Sequence, residues 1–285
     1  MPGAHRRSQQ VIELVRPVMI YASDAGHYAQ ALGLDILDGL EIVASQTGDS
    51  AATPFADSEK GDAGMDVDAA FAAIGPDTVA KILMTSGSTS EPKGVLITHK
   101  MMCTNQAQIS DALPFLRDHP LRIVDWLPGN HVFGGSHNFK MMLANGGSFY
   151  MDDGKPLKGL FDRTLQNLVM VTGTLAFNVS VGFSLLLEAL QKDADLRQHF
   201  FSNLDMVFYA GASLPQDVWQ GFTQMSVEVK GEVPLNEVVA KLLPMEDQRW
   251  EVRVKGPNVM HGYFDNPANS VSVSMMRVIS SPVMQ

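Results

Sequence analysis

Residues 85–94 read Thr85-Ser86-Gly87-Ser88-Thr89-Ser90-Glu91-Pro92-Lys93-Gly94. Five hydroxyl side chains cluster around a glycine, and a lysine and a second glycine follow. Backbone N–H groups and hydroxyls in such a loop can donate to the oxygens of a polyphosphate, while Lys93 supplies positive charge. The apolar runs Lys81–Met84 and Gly94–Thr98 predict a strand on each side. This spacing is not that of a Walker A loop, which needs glycine where Pro92 stands and Ser or Thr where Gly94 stands, and which opens a helix. By composition alone the segment also fits a polar hairpin turn, because Ser, Gly and Pro dominate ordinary turns.

Histidines come next. His131 lies in Asp125-Trp-Leu-Pro-Gly-Asn-His-Val-Phe-Gly134, just ahead of a predicted helix, so it fits either a helix cap or a ligand contact. His137 stands six residues further on. That interval does not put both imidazoles on one helical face, so no zinc site is expected. Ser213-Leu-Pro-Gln216 has the spacing of a capping box with proline in the first turn. Asp152-Asp153-Gly154 reads as a turn, and Phe177 and Phe183 as core.

The elements that must position these residues alternate between short apolar runs and longer amphipathic ones, which predicts α/β layering. Strands are expected at Val18–Ala22 and Glu41–Ala44, flanking a helix over His27–Leu37. Residues 46–66, rich in Ser, Thr, Gly and Asp, read as a loop. A helix follows at 100–113, then strands at Leu121–Trp126 and Ser148–Met151 around a helix near Asn138–Ala144. Gly182–Leu190 and Leu214–Phe222 read as helices and Met206–Tyr209 as a strand. Beyond residue 226 the pattern turns to β at Val227–Val229, Glu237–Leu243 and Trp250–Val254. The stretch Ala268–Gln285 shows no amphipathic period.

Composition narrows the partners. The 285-residue chain is 45% hydrophobic and 18% charged, enough apolar material for a well-filled core. Its net charge of -10 argues against a broad nucleic-acid or anionic-membrane surface, so neither partner is expected. Cys103, the single cysteine, excludes an internal disulfide or a cysteine-based metal cluster. No apolar run is long enough to span a bilayer and no signal-peptide core is evident, so a soluble cytoplasmic protein is expected. Oligomeric state is open.

The order of residues from Met84 to Val95 resembles the phosphate-binding signature of the adenylate-forming superfamily, which includes acyl-CoA synthetases, firefly luciferase and peptide-synthetase adenylation domains. Further segments resemble that family in the family's own order. They are the segment carrying His131, then Phe177-Asn-Val179, Tyr209-Ala-Gly-Ala-Ser-Leu-Pro215, and Lys255-Gly-Pro-Asn-Val-Met-His-Gly-Tyr263. Within the family, Gly134-Gly-Ser-His-Asn-Phe-Lys-Met-Met-Leu-Ala-Asn-Gly-Gly147, Tyr150-Met-Asp-Asp-Gly-Lys-Pro156 and Arg16-Pro-Val-Met-Ile-Tyr-Ala-Ser-Asp24 are most similar to bacterial feruloyl-CoA synthase. The resemblance implies an α/β fold, with residues 1–267 forming part of the large N-terminal adenylation domain and 268–285 a divergent tail.

It also implies a reaction in two halves: a carboxylate attacks the ATP α-phosphate, giving acyl-AMP and pyrophosphate, and CoA then displaces AMP. The acid would be aromatic and hydroxycinnamate-like. Thr85, Ser86, Gly87, Ser88, Thr89 and Lys93 would hold the departing phosphates with Mg2+ bridging their oxygens, and no protein side chain is expected as a metal ligand. His131 would neighbour the reacting carboxylate, Phe177 and Asn178 would pack by the acid, and Gly211, Ala212 and Ser213 would face the adenine.

Several departures from the family pattern qualify this reading. Between Met225 and Gly231 the family carries a loop with a Thr-Glu pair, where this chain has only Ser-Val-Glu-Val-Lys. A ribose-binding aspartate, the smaller C-terminal domain with its adenylation lysine, and the first part of the large domain are all without counterparts. Gly173 and Ser180 stand where the family usually has prolines. These losses predict a ligase by descent with negligible activity, the alternative being a non-catalytic remnant that at most binds nucleotide or a partner. A P-loop kinase or NTPase is disfavoured by Pro92 and by the strand after the loop.

Overall fold

Arg16 stops the first helix. It takes a left-handed φ of 48° directly before Pro17, and its N–H closes on the carbonyl of Ile12. A proline cannot continue a helix, and it restricts the residue before it to non-helical backbone. The computed structural model describes residues 5–60, 67–85 and 92–234, and beyond them the backbone of three short strands.

Two units make up the chain, residues 1–101 with 255–285, and residues 102–254. In the first, helix α1 (Arg6–Val15) precedes β1 (Met19–Asp24), α2 (Ala29–Leu32) and β2 (Glu41–Gln46), which leads to β3 (Thr53–Pro54). These strands form a parallel sheet in the order β1-β2-β3, over a small core of Ala22, Ala25, Leu37, Val43 and Ala44. Helices α3 (Phe55–Ser58) and α4 (Val67–Ala72) follow. A second sheet is built from β4 (Val79–Thr85) and β5 (Lys93–Thr98), antiparallel to one another. Helix α5 (His99–Ala112) begins under a cap: the hydroxyl of Thr98 accepts the N–H of Met101 at 3.2 Å.

The second unit holds two parallel strand pairs. β6 (Arg122–Asp125) pairs β7 (Ser148–Met151), with α6 (Phe139–Ala144) between them in sequence; α7 (Phe161–Met170) follows β7. β8 (Leu175–Val179) pairs β9 (Met206–Ala210) across α8 (Ser180–Lys192) and α9 (Ala194–Phe201), and α10 (Gln216–Lys230) comes last. Parallel neighbours cannot be joined by a tight turn, so each pair needs these crossover helices. Thr174 ties the pairs together. Its N–H donates to the carbonyl of Arg122 at 2.9 Å, its hydroxyl oxygen accepts the Arg122 N–H, and its carbonyl accepts the Asp205 N–H at 2.7 Å.

Two apolar clusters fill this unit. Phe183, Phe201 and Phe222 lie among the leucines of α8 and α9, and Leu121, Ile123, Met141, Met142, Leu175, Phe177 and Met206 pack around the strands. Short backbone pairings complete the described residues: β10 (Leu242–Pro244) runs antiparallel to β11 (Trp250–Val252), and β12 (Tyr263–Phe264) adds to the free edge of β5.

The α/β class holds, with differences in detail. The helix expected over His27–Leu37 divides at Gly33, into α2 and a 3-10 turn at Asp35–Leu37, because glycine is a poor residue in a helix interior. The loop expected over 46–66 contains β3 and α3; residues 61–66 lie outside the described residues. Val227–Val229 is not a strand but the last turn of α10. Val218, Phe222 and Met225 keep a helical period that buries one face, and Gly231 closes the helix at φ 79°. Burial of that face, to which Val229 adds while Val227 stays exposed, thereby overrides the β preference of the two valines. Helices α1, α4, α7 and α9 have no sequence expectation against them. The boundary expected at residue 267, and most of the β-rich reading after 234, lie outside the described residues.

Candidate active site

The hydroxyl-rich segment is closed by the β4–β5 hairpin. Thr85 sits opposite Lys93 and Met84 opposite Gly94, and the Thr85 hydroxyl donates to the Lys93 carbonyl at 3.4 Å. Lys93 and Thr85 are thus held at the mouth of the turn by the ladder itself. Ser86, Gly87, Ser88 and Thr89 lie outside the described residues.

His131, Phe177, Asn178, Gly211, Ala212 and Ser213 all belong to the second unit, around the C-terminal ends of parallel strands β6, β8 and β9. Open α/β sheets bind ligands at that edge, where the connections leave a crevice. His131 is exposed and caps the segment after it: its Nδ1 accepts the N–H of Phe133 at 3.2 Å. In the neutral ring this leaves the proton on Nε2, a donor suited to a carboxylate or phosphate oxygen. The cap and the ligand contact are therefore compatible.

Val132–Asn138 winds as one turn of π-helix, a form often found at functional sites. Gly134 and Gly135 are buried against the Leu127–Gly129 backbone. A Cβ at Gly134 would lie 2.6 Å from the Pro128 carbonyl oxygen, and one at Gly135 would run into the Gly129 carbonyl. Only glycine permits that approach.

The π-turn aims His137 into an aromatic cluster. Its ring stacks on Phe208 with centroids 5.1 Å apart and meets Phe177 edge-on at 5.3 Å, while Phe133 touches all three. Burial holds the imidazole pKa below its ordinary value, against the hydrogen bond to Asn138, which pulls it up. A relay fixes the tautomer. The Asn138 amide donates to Asp125 Oδ2 at 2.7 Å, which turns its oxygen toward His137 Nδ1 at 2.8 Å. That oxygen only accepts, so Nδ1 carries the proton, and Nε2 keeps a lone pair without a hydrogen bond among the described residues. Asp125 has its own pKa raised by burial and by the charge of Asp152, partly offset by bonds from Asn138 and Leu127.

Asn178 is buried at the end of β8, and its Oδ1 accepts from Trp126 Nε1 at 3.1 Å and from the Val179 N–H at 2.9 Å. Phe177 is buried in the aromatic cluster, where its edge can also face a ligand. Gly211 takes φ 91°, a left-handed turn that exposes Gly211, Ala212 and Ser213 together. Ser213 does not form the expected capping box. α10 begins later, at Gln216, with Pro215 at its N-cap and no side-chain cap bond.

Several functional-looking groups escaped the sequence reading. Asp152, read as a turn residue, is a buried anchor: it accepts from the Gly154 N–H, the Thr164 hydroxyl and the Asn167 amide at 2.7–2.8 Å. Asp125 and Asn138 were also missed. Their signal was an acid ending an apolar strand and an amide adjoining His137. Asp125 and Asp152 share a cavity of about 530 Å³ with Trp126, Phe139 and Phe149. Two carboxylates in its wall disfavour an anionic ligand there. Among the described residues no group of three or more His, Cys, Asp or Glu could hold a metal ion, and no helix is long and apolar enough to cross a membrane.

Against known proteins, a family model described as AMP-binding enzyme matches residues 5–232. The chain is 24% identical over 225 residues to a long-chain-fatty-acid–CoA ligase of Escherichia coli O6:H1, covering 67% of this chain and 39% of the relative. It is 22% identical over 229 residues to 3-[(3aS,4S,7aS)-7a-methyl-1,5-dioxo-octahydro-1H-inden-4-yl]propanoyl:CoA ligase of Rhodococcus jostii, covering 72% and 42%. It thus spans about two fifths of the length of these relatives. The fold matches ATP-bound MatB from Rhodopseudomonas palustris with a TM-score of 0.64 at 20% identity, over 93% of this chain and 56% of that one.

Proposed function

The chain belongs to the AMP-binding enzyme family, and we propose that it carries the nucleotide- and acid-binding part of an ATP-dependent acid–CoA ligase acting on an aromatic, hydroxycinnamate-like acid of the feruloyl type. The observation that carries the reading is the β4–β5 hairpin, which sets Thr85 against Lys93 at the two ends of the hydroxyl-rich segment. Both reactants are anions, so the work of such a site is charge neutralisation and alignment. Lys93 and the hydroxyl segment offset charge on the leaving pyrophosphate, with Mg2+ arriving on the phosphates of ATP. His131 Nε2–H donates to an oxygen of the carboxylate or the α-phosphate. Gly211, Ala212 and Ser213 offer exposed backbone to the adenine. CoA, the second substrate, would then take the acyl group through its thiol, with AMP as the leaving group.

For the acid, Phe133, His137, Phe177 and Phe208 supply ring faces and edges that suit a planar aromatic substrate. The relatives named above are ligases of fatty and ring-bearing acids, which makes a fatty acid the natural competitor.

A second reading, a nucleotide-binding protein without ligase activity, is favoured by one feature. α10 runs unbroken through residues 225–230, where the family resemblance calls for a loop with a Thr-Glu pair.

Acid-dependent ATP–pyrophosphate exchange on the purified chain with Mg2+, beside Lys93→Ala, separates these outcomes. Exchange with ferulate that Lys93→Ala abolishes supports the proposal. Exchange with palmitate alone replaces the aromatic acid by a fatty one. No exchange from a cooperatively melting protein that still binds ATP supports the second reading.

A further inference from the structure

Ser180 opens α8, and its hydroxyl donates to the carbonyl of Ala212 at 2.8 Å, joining the β8–α8 turn to the turn after β9. It is a cross-link between the C-terminal ends of two parallel strands, thirty-two residues apart in sequence. The Ala212–Ser213 peptide is trans, so its C=O and N–H point in opposite directions. Holding the Ala212 carbonyl toward α8 therefore turns the Ser213 N–H away from α8, in a turn whose Gly211, Ala212 and Ser213 are all exposed. Gly211 at φ 91° makes this turn intrinsically loose, because glycine has the widest backbone freedom. Without a tether the turn would sample several orientations of that N–H.

We propose that Ser180 is a positioning residue for nucleotide binding: its hydroxyl fixes the Gly211–Ser213 turn so that the Ser213 N–H stands ready as a donor to the nucleotide. The inference rests on the adenylate-forming reading for the identity of the ligand. The clamp is otherwise a property of the fold. Anchoring extends backward along the same edge. Asn178, two residues earlier, binds Trp126 and the Val179 N–H, so the start of α8 is itself held to the end of β6.

Ser180 also allows a clean test. It is the first helical residue, where the N–H has no intrahelical partner and proline is well tolerated. Val179 ahead of it is extended, at φ -86° and ψ 159°, which suits a residue before proline. Ser180→Pro thus removes the hydroxyl without breaking α8, Ser180→Ala removes it with minimal change, and Ser180→Thr keeps it.

The measurements are backbone 15N order parameters of Gly211–Ser213, the ATP dissociation constant by calorimetry, and the melting temperature. In Ser180→Ala and Ser180→Pro the turn should lose order and ATP should bind about three- to tenfold more weakly, the range of one tethering hydrogen bond. Melting of Ser180→Pro should stay near wild type, and Ser180→Thr should restore both readouts. Unchanged order parameters in both hydroxyl-free variants overturn the clamp. An unchanged ATP constant with a loosened turn overturns its role in binding. If the wild-type chain binds no ATP, the nucleotide role is overturned for this chain, while the order parameters still decide whether the clamp exists.

Discussion

His131 Nδ1 accepts the backbone N–H of Phe133 at 3.2 Å, so one imidazole both starts the π-turn and presents its Nε2 edge to solvent. The two roles separate by substitution. Asparagine caps helices well but places no donor where Nε2 stands. His131→Asn should therefore keep the unfolding midpoint near wild type while lowering acid-dependent pyrophosphate exchange, where the wild-type chain shows it, at least tenfold. His131→Ala should lose the exchange and also about 0.5–1 kcal/mol of stability, the lower end of cap losses for an exposed site. Equal exchange in wild type and His131→Asn would show that the histidine acts only as a cap.

Burial depresses the His137 pKa below its ordinary value of 6.5. A depressed folded-state value favours the neutral ring in the native protein. Its contribution to stability is therefore present above the unfolded pKa and is lost as pH falls through the folded one. Urea midpoints should drop between pH 7.5 and pH 5 more steeply in wild type than in His137→Phe, whose ring keeps the contact with Phe208 but cannot titrate. Parallel pH profiles would remove His137 as the source.

Gly135→Ala should be among the most damaging single changes. Its Cβ meets the backbone carbonyl of Gly129, which no side-chain rotation can relieve. Strain of that kind costs about 1–3 kcal/mol or more, and it should also shift His131, which caps the π-turn, and His137, which lies within it. A midpoint within 0.5 kcal/mol of wild type would mean that the two segments can part without loss.

Phe222 is fully buried and meets the rings of Phe183, Phe200 and Phe201 at 5.4–6.2 Å. Phe222→Ala should cost about 3–5 kcal/mol, the range for emptying an aromatic site in a packed core. Phe222→Leu should cost markedly less. Chemical denaturation of both variants gives the comparison directly.

Local chemistry decided what the sequence alone could settle. The hydroxyl-rich segment between two apolar runs placed Lys93 and Thr85 on a hairpin, because strand pairing needs only alternating apolar residues and a turn between them. The order of motifs placed His131, Phe177 and Gly211 in one family. Helices with a strong apolar stripe, such as α8, were legible for the same reason. Val227–Val229 was misread because β propensity is local, whereas the helix that carries these residues is fixed by Val218, Phe222 and Met225, buried by partners far along the chain.

The relay from Asp125 through Asn138 to His137, the Thr164 and Asn167 donors on Asp152 and the Ser180–Ala212 clamp were invisible in the sequence. Each joins residues that one-dimensional spacing does not relate. They meet because parallel strands bring their C-terminal ends to one edge, and buried polar groups there must find partners or forfeit the hydration they lost.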